Sequence, residues 1–162
     1  MEKLALQRNI VFKIACTNQD FTDGQTLFQQ YANSLDVDLC FQDFPNELKT
    51  IDKQYNKPGG ALVIAFHDTS AVGCVGIRKY DNDTAELKRM FVQPEYRGHH
   101  LGQQLLEFTL SVARELNYKK IRLDTLPTMK QAQQLYRSFG FYEISPYRFN
   151  PVNGTVFMEK EL

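Results

Sequence analysis

The chain reads as a mixed α/β (α+β) domain: a mostly antiparallel central sheet of about seven strands flanked by about four helices, in the order β-α-α-β-β-β-α-β-α-β-β. Three observations predict it. Short β-branched runs, such as Ile10 to Ala15, alternate with stretches of helical periodicity, such as Leu101 to Leu116. Three strand-like runs follow one another between Ala61 and Gln93 with only turn residues between them, which makes antiparallel neighbours. A strand-helix alternation then begins, and a mixed sheet with helices on both faces accommodates both halves.

Each element has its own justification. Ile10 to Ala15 is rich in β-branched residues and opens as a strand. Asp20 or Thr22 can cap a helix whose apolar stripe is Leu27, Phe28, Tyr31, Ala32 and Leu35. A second, short helix follows Pro45 with Leu48, Ile51 and Tyr55 on one face, and Lys57-Pro58-Gly59-Gly60 ends it. Ala61 to Phe66 and Val72 to Tyr80 form a hairpin about Asp68-Thr69-Ser70, and Asp81-Asn82-Asp83 turns into a third strand, Thr84 to Gln93. A long helix from about His100 to Asn117 carries Leu101, Leu105, Phe108, Val112, Ala113 and Leu116 inward. Lys120 to Thr125 is a strand, Met129 to Phe139 a helix stopped by Gly140, and Phe141 to Ile144 and Thr155 to Glu159 are the last strands.

Size and composition exclude several function classes. The 162 residues make one domain, 1–162, and 43% hydrophobic with 23% charged residues is ordinary globular usage. A formal net charge of zero argues against retention on nucleic acid by bulk electrostatics. Met1-Glu2-Lys3-Leu4-Ala5 has no long apolar stretch or cleavage pattern, and no run approaches the roughly 20 apolar residues that span a bilayer, so neither a leader nor a membrane partner is expected. Cys16, Cys40 and Cys74 are scattered and odd in number, which fits buried thiols in a reducing cytoplasm better than a disulfide framework. Adjacent His99 and His100 lack the spacing of a ligand pair, so no metal is expected. A homodimer is compatible with the sequence.

Chemistry concentrates at Val92-Gln93-Pro94-Glu95-Tyr96-Arg97-Gly98-His99-His100-Leu101-Gly102, where a strand enters a glycine loop and a helix begins. Such a junction presents backbone N–H groups at the positive end of a helix dipole and suits a phosphate or pyrophosphate. Gly98 and Gly102 allow close approach, and Arg97 adds a fork of donors.

The residue order resembles the acyl-coenzyme A signature of the GNAT acetyltransferase superfamily, Gln/Arg-x-x-Gly-x-Gly/Ala, with Arg97, His100 and Gly102 at its Arg, first Gly and second Gly. His100 departs from that pattern, and its Cβ would crowd a pyrophosphate unless the loop widens. Ala132-Gln133-Gln134-Leu135-Tyr136-Arg137-Ser138-Phe139-Gly140-Phe141 resembles a second family motif, Ala-x-x-x-Tyr-x-x-x-Gly-Phe. The element order also matches the GNAT fold, most closely from Ala61 onward.

The resemblance implies an acetyl-CoA-dependent N-acetyltransferase that passes acetyl directly to an amine of a small molecule, amino acid or peptide. It implies a cofactor site of Met90, Phe91, Val92, Arg97, Gly98, His99, His100, Leu101, Gly102, Thr128, Ala132 and Tyr136. Tyr136 would protonate the departing thiolate, backbone N–H groups of Met90, Phe91 and Val92 would hold the oxyanion, and the cofactor hydrogen bond of an asparagine that the family often has where Met129 stands is either missing or supplied by Thr128. Glu86 is the candidate base; the alternative is a strand-end carboxylate paired with Lys88 or Arg78. Lys88 and Arg89, set by alternation on opposite faces of one strand, are candidate substrate-binding cations, with internal pairing to Glu86 or Asp124 as the alternative. The variable segments Asp36 to Tyr55 and Ser145 to Asn153 are where the family resemblance puts acceptor contacts. A non-catalytic acyl-CoA-binding module on the same fold is the rival reading.

Overall fold

A computed structural model describes residues 9–162; the N-terminal segment considered above for a leader lies outside the described residues. The strands are β1 (Ile10–Ile14), β2 (Ala61–His67), β3 (Ser70–Lys79), β4 (Thr84–Val92), β5 (Lys120–Thr125), β6 (Tyr142–Ile144) and β7 (Val156–Glu161). The helices are α1 (Asn18–Asn33), α2 (Phe44–Lys49), α3 (Ile51–Gln54), α4 (Leu101–Glu115) and α5 (Lys130–Ser138). One sheet contains all seven strands in the order β1-β2-β3-β4-β5-β7-β6. Only β4 and β5 run parallel, joined by the α4 crossover; every other neighbouring pair is antiparallel.

The sheet separates two cores, as alternation along β2 illustrates. Ala61, Val63 and Ala65 join Leu101, Leu105, Leu106 and Tyr136 beneath α4 and α5. Leu62 and Ile64 join Leu27, Phe28, Ile51 and Tyr55 beneath α1 to α3. Period-2 strands covered on both sides make these alternating residues buried throughout.

Three local outcomes differ from expectation. Thr17, rather than Asp20 or Thr22, caps α1: its hydroxyl accepts from the Asp20 N–H, and the Asp20 carboxylate accepts from the N–H groups of Thr17 and Cys16. The helix after Pro45 breaks into α2 and α3 at Thr50, whose φ of −116° and ψ of 22° leave the helical range and whose hydroxyl bonds back to the Asn46 carbonyl. Of the cysteines only Cys74 is buried; Cys16 is exposed in the connection before α1, and Cys40 is exposed on a 3-10 turn, Leu39–Gln42, that buries only Leu39.

The decisive irregularity is in β4. Register slips between Cys74 and Gly76 on β3, and Arg89 adopts a φ of 58°. This bulge inserts one residue into β4 and cancels the alternation there. Lys88 and Arg89 therefore lie on the same face, toward α1 and α2, which corrects the expectation that they diverge. Beyond the bulge Met90 meets the α4 side and Phe91 the α1 side.

Candidate functional site

The parallel strands part company early. Pairing of β4 with β5 covers only Thr84↔Lys120, Ala85↔Ile121 and Glu86↔Arg122, although β4 continues to Val92 and β5 to Thr125. A cleft of about 660 Å³ opens at the splay, lined by Met90, Phe91, Val92 and Arg97 on one side and by Thr128, Ala132 and Tyr136 on the other. Seven of the expected cofactor residues thus border one space. The remaining ones, Gly98 to Gly102, form the turn into α4 at its end.

That turn has the geometry of an anion cradle. His100 precedes α4 with a left-handed φ of 61° and makes no side-chain cap, and the helix carries no acidic residue in its first turn. The N–H groups of Leu101, Gly102 and Gln103 precede the first intrahelical bond, Gln104 N–H to the His100 carbonyl at 3.1 Å. Gly98 has a φ of 79°, which glycine adopts without strain. A Cβ on Gly98 would meet nothing within 4 Å, and one on Gly102 only Met90 and Leu135 at 3.7 and 3.9 Å. The protein's own packing does not require Gly102 to lack a side chain, so the vacant space beside the helix N-terminus suits an outside group. Arg97 closes the loop on its strand: Nε donates to the Val92 carbonyl at 2.8 Å, with the guanidinium over the Phe91 ring.

Tyr136 is buried beside Met90, its hydroxyl 3.8 Å from the Met90 sulfur. Burial pushes the phenol well above its ordinary pKa, so it retains its proton throughout the physiological range.

Glu86 has a setting that the sequence did not disclose. Its side chain is 2% exposed, one oxygen accepts from Arg78 at 2.9 Å, and the other accepts from the Tyr147 hydroxyl at 2.9 Å and from Arg148. Burial opposes its charge, but Lys88, Arg78 and Arg148 outweigh burial and hold the carboxyl below its usual range. A carboxylate so occupied is a poor proton acceptor and a strong anchor. The alternative of a carboxylate paired with Arg78 holds in its pairing, at 2.9 Å, but the group is buried rather than solvated.

Lys88 lies 3.8 Å from Asp124 and donates to Gln42 at 3.0 Å. Burial, then the neighbouring Arg89, lowers its pKa to about 7. Arg89 is held by Glu47 through two bonds, Nε at 3.0 Å and one terminal nitrogen at 2.9 Å. Sequence reasoning missed Glu47, whose signal was a carboxylate on the inward face of α2, three residues from buried Phe44. It also missed Tyr147, Arg148 and Asn150. Their cue was a run of aromatic and hydrogen-bonding residues in the otherwise irregular 145–153 connection, which Glu86 and Asp124 pin to the sheet.

Comparison with known proteins places this geometry. The family model described as the acetyltransferase (GNAT) family matches residues 27–141. An uncharacterized N-acetyltransferase of Schizosaccharomyces pombe is 35% identical over 156 residues, 95% of this chain and 96% of that one. The crystal structure of an acetyltransferase from Streptococcus agalactiae superposes with a TM-score of 0.79 at 26% identity, covering 96% of this chain and 99% of that one. A GNAT family acetyltransferase from Elizabethkingia anophelis, solved with acetyl-CoA bound, shares the fold at a TM-score of 0.64 and 18% identity over 95% of this chain and 99% of that one.

Proposed function

The chain belongs to the GNAT acetyltransferase family, and from that premise we propose that it transfers acetyl from acetyl-CoA directly to a primary amine of a small molecule or peptide in the cytoplasm. The observation that carries the reading is the β4–β5 splay, which joins an anion cradle at one end to a buried phenol at the other. When bound, acetyl-CoA supplies a thioester carbonyl and a sulfur leaving group.

The chain's own groups have separate tasks. The first-turn N–H groups of α4, with Gly98 to Gly102 and Arg97, hold the pyrophosphate. Thr128 and Ala132 border the path of the arm that leads inward. Of the expected donors Met90, Phe91 and Val92, the N–H groups of Met90 and Val92 stabilise charge building on the carbonyl oxygen, since Phe91 shares with Gln93 the edge that faces β3; a well-placed donor contributes roughly 3 kcal/mol. Tyr136 gives its proton to the sulfur as the amine nitrogen bonds to the carbonyl carbon and the carbon–sulfur bond breaks. The ammonium form of the amine first loses a proton, since an unperturbed alkylamine has a pKa near 10.4, and the new amide releases a second that restores Tyr136. Glu86 acts as the anchor of the 145–153 connection rather than as the proton acceptor.

Isothermal titration with acetyl-CoA, followed by thiol release over a panel of amines, amino acids and peptides, tests this. Binding with acceptor-dependent thiol release is expected. Binding without thiol release for every acceptor would reduce the protein to an acyl-CoA-binding module, and no binding would remove the cradle assignment.

A further inference from the structure

The acceptor end of the cleft holds an unbalanced set of charges. On the α1 side of the sheet, Arg78, Lys88, Arg89 and Arg148 form ion pairs with Glu47, Glu86 and Asp124: four cations against three carboxylates. Neighbouring Arg122 does not alter the difference, because it pairs with Glu159. The excess is at most one positive charge among the described residues, since Lys88 titrates near 7, and it falls on Arg78 and Arg148, which share Glu86 and are 23% and 22% exposed.

The surplus is not spread evenly. Glu86 is consumed by Arg78, Arg148 and Tyr147. Glu47 engages one edge of the Arg89 guanidinium, through Nε and a single terminal nitrogen; Tyr31 is a further partner, and the rest of the fork meets no carboxylate. Arg89 and Asp124 line the same internal cavity together with Gln42 and Asn150. Its volume is about 20 Å³, the space of one small polar group such as a carboxylate oxygen. Tyr31, Leu35 and Leu126 border both this cavity and the large cleft, so the cavity adjoins the cleft. Phe44 covers the Arg89 guanidinium at 5.3 Å and Glu47 fixes its plane, so the fork is held in place before any ligand arrives.

Resting on the N-acetyltransferase reading, we propose that the acceptor is a free amino acid or a similarly small amine bearing a carboxylate, with the carboxylate on the outer edge of Arg89 and the ammonium on Asp124. An Arg–carboxylate contact in a partly dry site is charge-assisted and directional, so it orients the amine as well as binding it. Asp124 is kept in position by Asn150, whose amide donates to it at 3.2 Å, and by Lys88. A simple alkylamine would satisfy Asp124 but leave the rest of the Arg89 fork without its carboxylate, and selectivity follows from that difference.

The test compares each of the common amino acids with its decarboxylated amine by thiol release on the wild-type protein, phenylalanine with phenethylamine and leucine with isoamylamine among them. At least one amino acid is expected to turn over, and its decarboxylated partner to lose about 10²-fold or more in kcat/KM, as an unpaired polar site dictates. Arg89→Lys keeps a cation for Glu47 but removes the planar fork; it should raise the acceptor KM about tenfold or more without changing the acetyl-CoA KM. Equal or faster turnover of the decarboxylated amines overturns the proposal. So does acetyl-CoA binding with no thiol release from any carboxylate-bearing amine. Loss of acetyl-CoA binding itself strikes the underlying reading instead. If Arg89→Lys does not fold, the wild-type comparison decides alone.

Discussion

Tyr136 and Glu86 illustrate how much a single side chain's neighbours decide. Both were visible in the sequence as candidates for proton transfer. Burial beside Met90 keeps Tyr136 protonated, which is the state the proposed proton donor needs. Tyr136→Phe removes only that donor, so turnover should fall by about 10²-fold while the melting temperature changes little; wild-type rates would restrict Tyr136 to packing. Glu86 is instead surrounded by donors that make it a weak base. Glu86→Gln should leave Arg78 and Arg148 poorly compensated and cost about 3 kcal/mol or more in urea unfolding. The acidic limb of the kcat/KM profile should persist in that variant, and its disappearance would return the proton-accepting role to Glu86. Neither distinction was legible in the sequence, because Tyr147, Arg148 and Glu86 are 61 and 62 residues apart.

At the level of elements, periodicity located the strands and helices, and local chemistry moved their ends. The Thr17-x-x-Asp20 box was readable but was displaced in the sequence reading by an apolar stripe that begins further on. Thr17→Ala should cost about 1 kcal/mol in chemical denaturation, and no loss would mean that the cap contributes nothing. The bulge at Arg89 had no such cue. Its positive φ falls on an arginine rather than a glycine, and strict alternation therefore put Lys88 and Arg89 on opposite faces. The α4 entry has the reverse character: the loop was legible from its glycines and the following stripe, but the left-handed φ of His100 was not. His100→Gly should relieve backbone strain and stabilise the fold by about 1 kcal/mol, with acetyl-CoA affinity kept or improved. A marked loss of affinity would show that the imidazole itself contributes.

Across the whole molecule, a sheet with helices on both faces was foreseeable from element order and the splay only from the family resemblance, whereas the charge cluster between β4, β5 and α2 depends on contacts that no spacing rule reports. That cluster has a thermodynamic signature. Lys88 titrates near 7 in the folded protein and near 10.5 when exposed in the unfolded chain. Between those values the unfolded state binds more protons, so stability rises with pH over this window and is lowest, as far as Lys88 is concerned, below pH 7. From pH 7 to 9 the unfolding free energy should rise by on the order of 1 kcal/mol per pH unit. Buried Cys74 and Tyr55, both raised by burial, begin to oppose the trend only as the pH passes their unfolded values of 9.0 and 10.0. Urea titrations of the wild-type protein and of Lys88→Met at pH 7, 8 and 9 provide the measurement. The slope should be present in the former and largely absent from the latter, whatever the variant's absolute stability. Identical slopes in wild type and Lys88→Met would mean that Lys88 is charged in the folded state at neutral pH, and the cluster would then carry its full positive surplus.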